Sequence, residues 1–385
     1  MKKYFTLFSN FLLSITLILL LSSCSYIATK VINLNDLPNP KGPYSVGSRI
    51  YTWIDQTRHE SFTEDSFDKR KIVVQVWYPI SKRDIKKMNY IDRPDKRIQP
   101  IAEQFVSRDV SPSFISFLMS DVKNIKTNSE YNADIEVNSL EKYPLIVFSH
   151  GLGGMKNQNS IQVEELVSQG YIVIAPDHSY DANITIFEDN QIAPFKSAEY
   201  DPEITYSIDD FYKYRIPQIN TRSADLSFII DKIEEFQRIS SNSVWDLIDL
   251  DNIGVFGHSF GGGTSFLTIY RDKRFDAGIA LDGWIEPVPN EVINNGIQKP
   301  FLYIGQIEWQ DTLNYYKLDN LIDNSGLNGQ RVLLPGTKHF DYTDTPYFHN
   351  VTKRMKISGS MPTQTIVDTL NYHLINFFDK YLKEN

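Results

Sequence analysis

Asn252-Ile253-Gly254-Val255-Phe256-Gly257-His258-Ser259-Phe260-Gly261-Gly262-Gly263 decides how this chain folds. Ile253 to Phe256 is a short apolar run with strand character, and Thr264-Ser265-Phe266-Leu267-Thr268-Ile269-Tyr270 is compatible with a helix. Between them stands Gly257-His258-Ser259-Phe260-Gly261, the G-x-S-x-G pattern of a nucleophile elbow. A serine on a sharp strand-to-helix turn projects its hydroxyl clear of the sheet, in a strained backbone conformation. Glycines two positions either side leave no Cβ to clash within the turn. The helix that follows directs its N-terminal N–H groups and positive dipole end at the site. The Phe260 N–H is therefore expected to be one donor of an oxyanion hole.

Working outward, Lys71-Ile72-Val73-Val74-Gln75-Val76-Trp77-Tyr78-Pro79 reads as a strand, rich in β-branched and aromatic residues. Pro144-Leu145-Ile146-Val147-Phe148-Ser149 and Tyr171-Ile172-Val173-Ile174-Ala175-Pro176 read as buried strands of the parallel type. Further strands are expected over 275–281, 300–305 and 331–334. Apolar residues at helical spacing predict helices over 161–169, 221–238 and 363–382; Leu226, Ile229, Ile230, Ile233 and Phe236 form the core-facing stripe of the second. Asp177-His178-Ser179-Tyr180-Asp181 reads as a satisfied structural pair in its loop, and residues 184–201 as a small hairpin and a loop. Residues 81–137 are less regular and read as a lid-like insertion. Within it, the apolar cluster 112–119 is either core packing or a lid that touches lipid or acyl chains. Strand alternating with helix predicts an α/β fold with a doubly wound, mostly parallel sheet, in one domain over residues 44–385.

His150-Gly151-Leu152-Gly153-Gly154 directly follows the 144–149 strand. An H-G-x-G-G turn at that point predicts the second oxyanion donor, the N–H of Leu152, with His150 shaping the turn rather than reacting. Leu152, Ser259, Asp282 and His339 all follow C-terminal strand ends. They are expected on one rim of the sheet, where open α/β sheets bind ligands. Ser259 is the expected nucleophile and His339 the base, since His339 alone of the seven histidines lies a few residues past the last strand, on a loop begun by Pro335-Gly336. Asp282 abuts its strand end and is the favoured acid; Glu308 and Asp311, after the next strand, are the alternatives. Nucleophile, acid, base is the chain order of α/β-hydrolases.

The 385 residues are 41% hydrophobic and 23% charged, enough for one large globular domain. A net charge of −9 with both signs interspersed gives no basic face for nucleic acid. No His or Cys pairs stand at ligand spacing, so neither a metal nor another cofactor is expected, and no protein partner is indicated. At the N-terminus, Lys2 and Lys3 precede an apolar run over 4–21 and then Ser22-Ser23-Cys24. That pattern reads as a bacterial lipoprotein signal, with cleavage before Cys24 and lipidation of its thiol; an ordinary signal peptide or an uncleaved anchor is the alternative. Cys24 is the only cysteine and stands where lipidation needs it. The expectation is removal of residues 1–23, a tether over 24–43, no disulfide, and a lipid anchor holding the protein to the bacterial cell envelope on its periplasmic or extracellular face.

Four motifs together resemble the plasma-type platelet-activating-factor acetylhydrolases and their bacterial relatives. They are Phe148-Ser149-His150-Gly151-Leu152-Gly153, Gly257-His258-Ser259-Phe260-Gly261-Gly262, Leu281-Asp282-Gly283-Trp284, and Gly336-Thr337-Lys338-His339 followed by Phe340-Asp341-Tyr342-Thr343-Asp344. The resemblance runs from about Lys71 to the C-terminus. It implies Asp282 as the acid and Leu152 and Phe260 as the oxyanion donors. It further implies calcium-independent hydrolysis of short or oxidised acyl chains from the sn-2 position of phospholipids, and approach to lipid surfaces through apolar helices, for which residues 114–119 are the candidate counterpart. Gly283 stands where that family commonly has Ala, and Glu286 where it has an apolar residue; both lie near the acid loop and bear on acyl preference. A related dienelactone, polyester or acyl-sugar hydrolase and a non-catalytic binding lipoprotein are the competing readings. The intact Ser-Asp-His set speaks against the last.

Overall fold

Period-two alternation along the central strands sorts their side chains onto two faces. Leu145, Val147, Ile253 and Val255 sit in one buried cluster, while Ile146, Phe148 and Phe256 sit in another. Strands buried on both sides need helices over both. That is the architecture of the computed structural model, which describes residues 34–104, 119–135, 142–196, 208–239, 243–309 and 312–384.

The antiparallel part of the sheet lies at one edge. β1 (Ser45–His59) pairs antiparallel with β2 (Lys69–Ile80). β3 (Lys87–Asn89) pairs antiparallel with β4 (Lys126–Tyr131), which runs parallel against β1. The parallel part begins with β5 (Tyr143–Ser149) and β6 (Ile172–Asp177), and β6 joins β2 antiparallel. A hairpin of β7 (Ile184–Ile186) and β8 (Ile192–Pro194) stands outside the sheet. β9 (Ile248–His258), β10 (Ala277–Leu281), β11 (Phe301–Gln306) and β12 (Gly329–Leu334) complete the parallel run. Among the described residues the sheet has ten strands, in the order β12-β11-β10-β9-β5-β6-β2-β1-β4-β3.

Helix α1 (Pro94–Gln104) lies between β3 and β4 in sequence. α2 (Ser160–Ser168) covers one face of the sheet through Val163, Leu166 and Val167. The other face is covered by α3 (Ile208–Ile239), α4 (Phe260–Arg271), α5 (Asn290–Asn295) and α6 (Thr312–Ser325). α7 (Thr363–Leu382) returns to the first face and buries Ile366, Leu370, Leu374, Phe377 and Phe378 there. Each large apolar side chain so buried stabilises the fold by roughly 1.5–3 kcal/mol before entropy is counted. The stripe Leu226, Ile229, Ile230, Ile233 is fully buried, and α3 extends it toward the N-terminus through Pro217.

Two segments differ from the sequence expectation. Residues 34–43 are not a free tether. Leu37 is buried in a cluster with Tyr90 and Ile91, its N–H donates to the Lys126 carbonyl at 3.0 Å, and the Gly42 N–H donates to Ser168 Oγ at 3.0 Å. One buried apolar side chain and two anchored backbone N–H groups leave no periodic side-chain pattern to read. Residues 81–137 are not wholly irregular either, since they supply β3, α1 and β4. β4 escapes a hydrophobicity reading because its buried contacts are polar: Ser129 Oγ and the Asn128 N–H both donate to Glu164 Oε1, at 2.5 and 2.8 Å. Cys24, Asp311 and all but Met119 of the apolar 112–119 cluster lie outside the described residues. No described helix is long and apolar enough to cross a membrane.

Candidate active site

Ser259 sits between β9 and α4 with φ 56° and ψ −121°, a conformation that costs a non-glycine residue about 1–3 kcal/mol. The turn is tight because α4 presses on β5. A Cβ on Gly261 would stand 1.9 Å from the Ser149 carbonyl oxygen, and one on Gly257 would stand 2.2 Å from the Gly261 carbonyl oxygen. Neither neighbour is a flexible side chain, so the backbone itself would have to move. Gly261→Ala is expected to destabilise the fold by about 3 kcal/mol, read as a lower urea midpoint; an unchanged midpoint would show that α4 can slide.

The elbow is stitched to the acid loop by backbone bonds. The Ser259 N–H donates to the Leu281 carbonyl at 3.0 Å, and the Trp284 N–H donates to the Ser259 carbonyl at 2.8 Å. Asp282, between them, is fully buried with φ 44°. Its Oδ2 lies 2.7 Å from His339 Nδ1 and accepts from Gln306 Nε2 at 2.8 Å, while Oδ1 accepts from the Gln306 N–H at 3.0 Å. The β11 end, considered for the acid itself, thus supplies the residue that holds the acid. Glu308 lies exposed on the rim and makes no hydrogen bond to His339. His339 opens a 3-10 turn (His339–Tyr342), with its ring between the edges or faces of Trp309 at 5.0 Å and Phe340 at 5.9 Å. Among the described residues Ser259 Oγ has no hydrogen-bond partner, His339 included; in free enzymes that contact is often long and tightens with substrate.

Leu152 lies on the turn after β5 and Phe260 opens α4 directly after Ser259, and among the described residues neither backbone N–H has an internal acceptor. Two residues tie these parts together that sequence reading left out. Gln158 Oε1 accepts from the Gly151 N–H at 2.9 Å, and its Nε2 meets His258 Nδ1 at 2.8 Å. His258 Nε2 in turn meets the His339 carbonyl at 3.0 Å. Since the amide nitrogen of Gln158 donates, His258 accepts at Nδ1 and carries its hydrogen on Nε2. The chain from oxyanion loop to elbow to base loop therefore needs a neutral imidazole. Burial, and next the nearby His339, hold the His258 pKa well below the ordinary range. Asp177 and His178 do not pair with each other: Asp177 Oδ2 meets Arg97 at 2.7 Å and His178 Nδ1 meets Asp225 Oδ2 at 2.8 Å.

Burial pushes His178 down to about 3. The sign follows: the folded protein refuses a proton that the unfolded chain takes up below about pH 6.5, so this contribution to stability is complete above pH 6.5 and is lost as pH falls toward 3, by about 1.4 kcal/mol per pH unit. Imidazole nitrogen shifts of His178 and His258 are expected to stay those of neutral rings from pH 8 to pH 5. Protonation of either within that range would refute the assignment.

A cleft of about 1140 Å³ opens beside His339, walled by Phe211, Trp284, Ile307, Trp309 and Phe340 and reached by Glu286 and Lys338. Glu286 is buried, and its Oε2 accepts from the Trp284 indole N–H at 3.3 Å. Gly283 is packed so closely that a Cβ there would lie 2.9 Å from the Ala280 Cβ.

The family described as platelet-activating factor acetylhydrolase, isoform II, matches residues 30–385. The chain belongs to that family. Relatives within the acetylhydrolases include the platelet-activating factor acetylhydrolase of Gallus gallus, 29% identical over 63% of this chain and 63% of that protein. The platelet-activating factor acetylhydrolase of Cavia porcellus is 26% identical over 90% of this chain and 78% of its own length. A probable 1-alkyl-2-acetylglycerophosphocholine esterase of Arthroderma benhamiae is 22% identical over 70% of this chain and 64% of its length. The chain thus spans a little under two thirds of the chicken and fungal relatives. A solved ferulic acid esterase from Streptomyces cinnamoneus superposes with a TM-score of 0.69 over 92% of this chain and 94% of that one, at 21% identity, a likeness of fold.

Proposed function

We propose that this acetylhydrolase-family chain is a calcium-independent serine ester hydrolase that removes short acyl chains from the sn-2 position of phospholipids. The observation that carries the reading is the buried Asp282 carboxylate held against His339 Nδ1 at 2.7 Å, beside a serine strained at an elbow. Ser259 Oγ attacks the ester carbonyl and gives its proton to His339 Nε2, while Asp282 stabilises the imidazolium. The oxygen of the tetrahedral intermediate takes hydrogen bonds from the Leu152 and Phe260 N–H groups, each worth roughly 3 kcal/mol of barrier. Collapse breaks the ester C–O bond, and the lysophospholipid alcohol leaves with the proton from His339. Water, deprotonated by the same imidazole, then releases the acid and restores Ser259. The Cys24 signal supports a lipid anchor that keeps the domain beside such substrates in the bacterial envelope.

The test compares 2-acetyl and 2-palmitoyl phosphatidylcholine with p-nitrophenyl butyrate, all in excess EDTA. Faster release of acetate than of palmitate, unaffected by EDTA, is expected. Turnover of the soluble ester alone would favour a related acyl-ester hydrolase. No turnover and no labelling by a fluorophosphonate probe would leave a binding lipoprotein.

A further inference from the structure

The turn His150-Gly151-Leu152 is held from behind by side chains that substrate cannot reach, and its meaning rests on the ester-hydrolase reading above. His150 is fully buried. Its Nδ1 lies 2.6 Å from the Gly151 carbonyl oxygen, and its Nε2 lies 3.2 Å from the His178 backbone nitrogen. A backbone N–H can only donate, so Nε2 is the acceptor and the ring hydrogen sits on Nδ1, donating to Gly151. The Gly151–Leu152 peptide is trans, as are the others described. In a trans peptide C=O and N–H point to opposite sides. Pinning the Gly151 carbonyl therefore fixes the direction of the Leu152 N–H.

The preceding peptide is pinned as well. Arg222 Nη2 donates to the His150 carbonyl, and the Gly151 N–H donates to Gln158 Oε1 at 2.9 Å. His178, whose N–H feeds His150 Nε2, is itself clamped between Ser149 Oγ at 3.0 Å and Asp225 Oδ2 at 2.8 Å, and Asp225 is paired with Arg70 at 2.6 Å. This second Ser-His-Asp set is sealed from solvent, so it braces and does not react. Burial first, and the Arg222 charge second, keep the His150 pKa well below the ordinary range, which spares the ring a hydrogen on Nε2 facing the His178 N–H.

We propose that His150 is a positioning residue for ester hydrolysis: its Nδ1–H sets the Gly151–Leu152 peptide so that the Leu152 N–H faces the oxyanion. Two substitutions separate the two contacts of the ring. Asparagine places its amide nitrogen near the Nδ1 position, keeping the donor to Gly151 and giving up His178. Glutamine reaches toward the Nε2 position, keeping an acceptor for the His178 N–H and giving up Gly151.

The full-length protein in detergent would be assayed on an oxo ester and the thiono ester of the same acyl group. Thiono sulfur is a poor acceptor, so the oxo-to-thiono rate ratio reads the oxyanion hole alone. His150→Gln is expected to lose about 10²-fold in kcat on the oxo ester, with KM within about threefold and a comparable fall in the ratio. His150→Asn is expected to keep kcat within about fivefold and the ratio near wild type. Equal losses in the two variants, or a kcat loss with an unchanged ratio, would mean a purely structural role and overturn the proposal. Should His150→Gln not fold, the wild-type protein still decides: imidazole nitrogen shifts must place the hydrogen on Nδ1, and hydrogen on Nε2 overturns it. Wild-type protein that a fluorophosphonate fails to label at Ser259 would bring down the ester-hydrolase reading and this proposal together, whereas labelled protein with equal variants removes this proposal only.

Discussion

Asp282→Asn is expected to lower kcat about 10⁴-fold while leaving KM within a few-fold. The carboxylate takes three hydrogen bonds, from the Gln306 N–H, from Gln306 Nε2 and from His339 Nδ1. Asparagine fits the same space but presents an amide with one acceptor and one donor. The Gln306 backbone N–H can only donate, so it holds the asparagine oxygen at the Oδ1 position; the NH₂ then takes the Oδ2 position facing His339 Nδ1, and the Gln306 side-chain amide turns to present its oxygen there. The imidazole then accepts at Nδ1 and carries its hydrogen on Nε2, the atom that must receive the serine proton. The geometry survives and the base is lost. Glu308→Gln, on the strand end that competes for the role in a sequence reading, is expected to leave kcat within about twofold, because Glu308 is exposed and does not touch His339. Steady-state rates on p-nitrophenyl butyrate decide both; a large loss in Glu308→Gln with a small one in Asp282→Asn would reverse the assignment.

Ser259 carries the second large effect, and it has two sides. Ser259→Ala and Ser259→Gly are both expected to lower kcat by about 10⁵-fold or more, since neither leaves a nucleophile. Their stabilities should differ. At φ 56°, ψ −121° alanine keeps the Cβ strain of the elbow. Glycine relieves about 1–3 kcal/mol of it and loses about 0.5–1 kcal/mol to unfolded-chain entropy. The glycine variant is therefore expected to be about 1 kcal/mol more stable than the alanine variant in chemical denaturation. A glycine variant less stable than alanine would show that the elbow stores no strain.

The elbow was legible because its requirement is local: a strained serine, and glycines where any Cβ would strike Ser149 or Gly261. The parallel strands were legible because burial on both faces demands unbroken apolar runs, as in Leu145 to Phe148. β4 was not, since Lys126-Thr127-Asn128-Ser129-Glu130-Tyr131 is buried through hydrogen bonds to Glu164 and carries no apolar period. The 15-residue β1 was passed over too: only Val46 and Trp53 among its apolar residues are deeply buried, and its long antiparallel pairing with β2 is not local in sequence. Gln158, His258 and Gln306 could not be singled out from sequence for another reason. Their value lies in bonds that span 100, 81 and 24 positions, and a glutamine or histidine in a turn or at a strand end announces none of them.

The cleft and the site draw on two kinds of segment. Ser259 and Asp282 follow the ends of β9 and β10 and Phe260 opens α4, whereas Ile307, Trp309, Phe340 and Lys356 reach the cleft, beside His339, from segments that take no part in strand pairing. Ile307, Trp309 and Lys356 can therefore be replaced without disturbing a strand. Substitution at these positions is expected to alter which ester is preferred while the elbow and the acid loop keep their geometry.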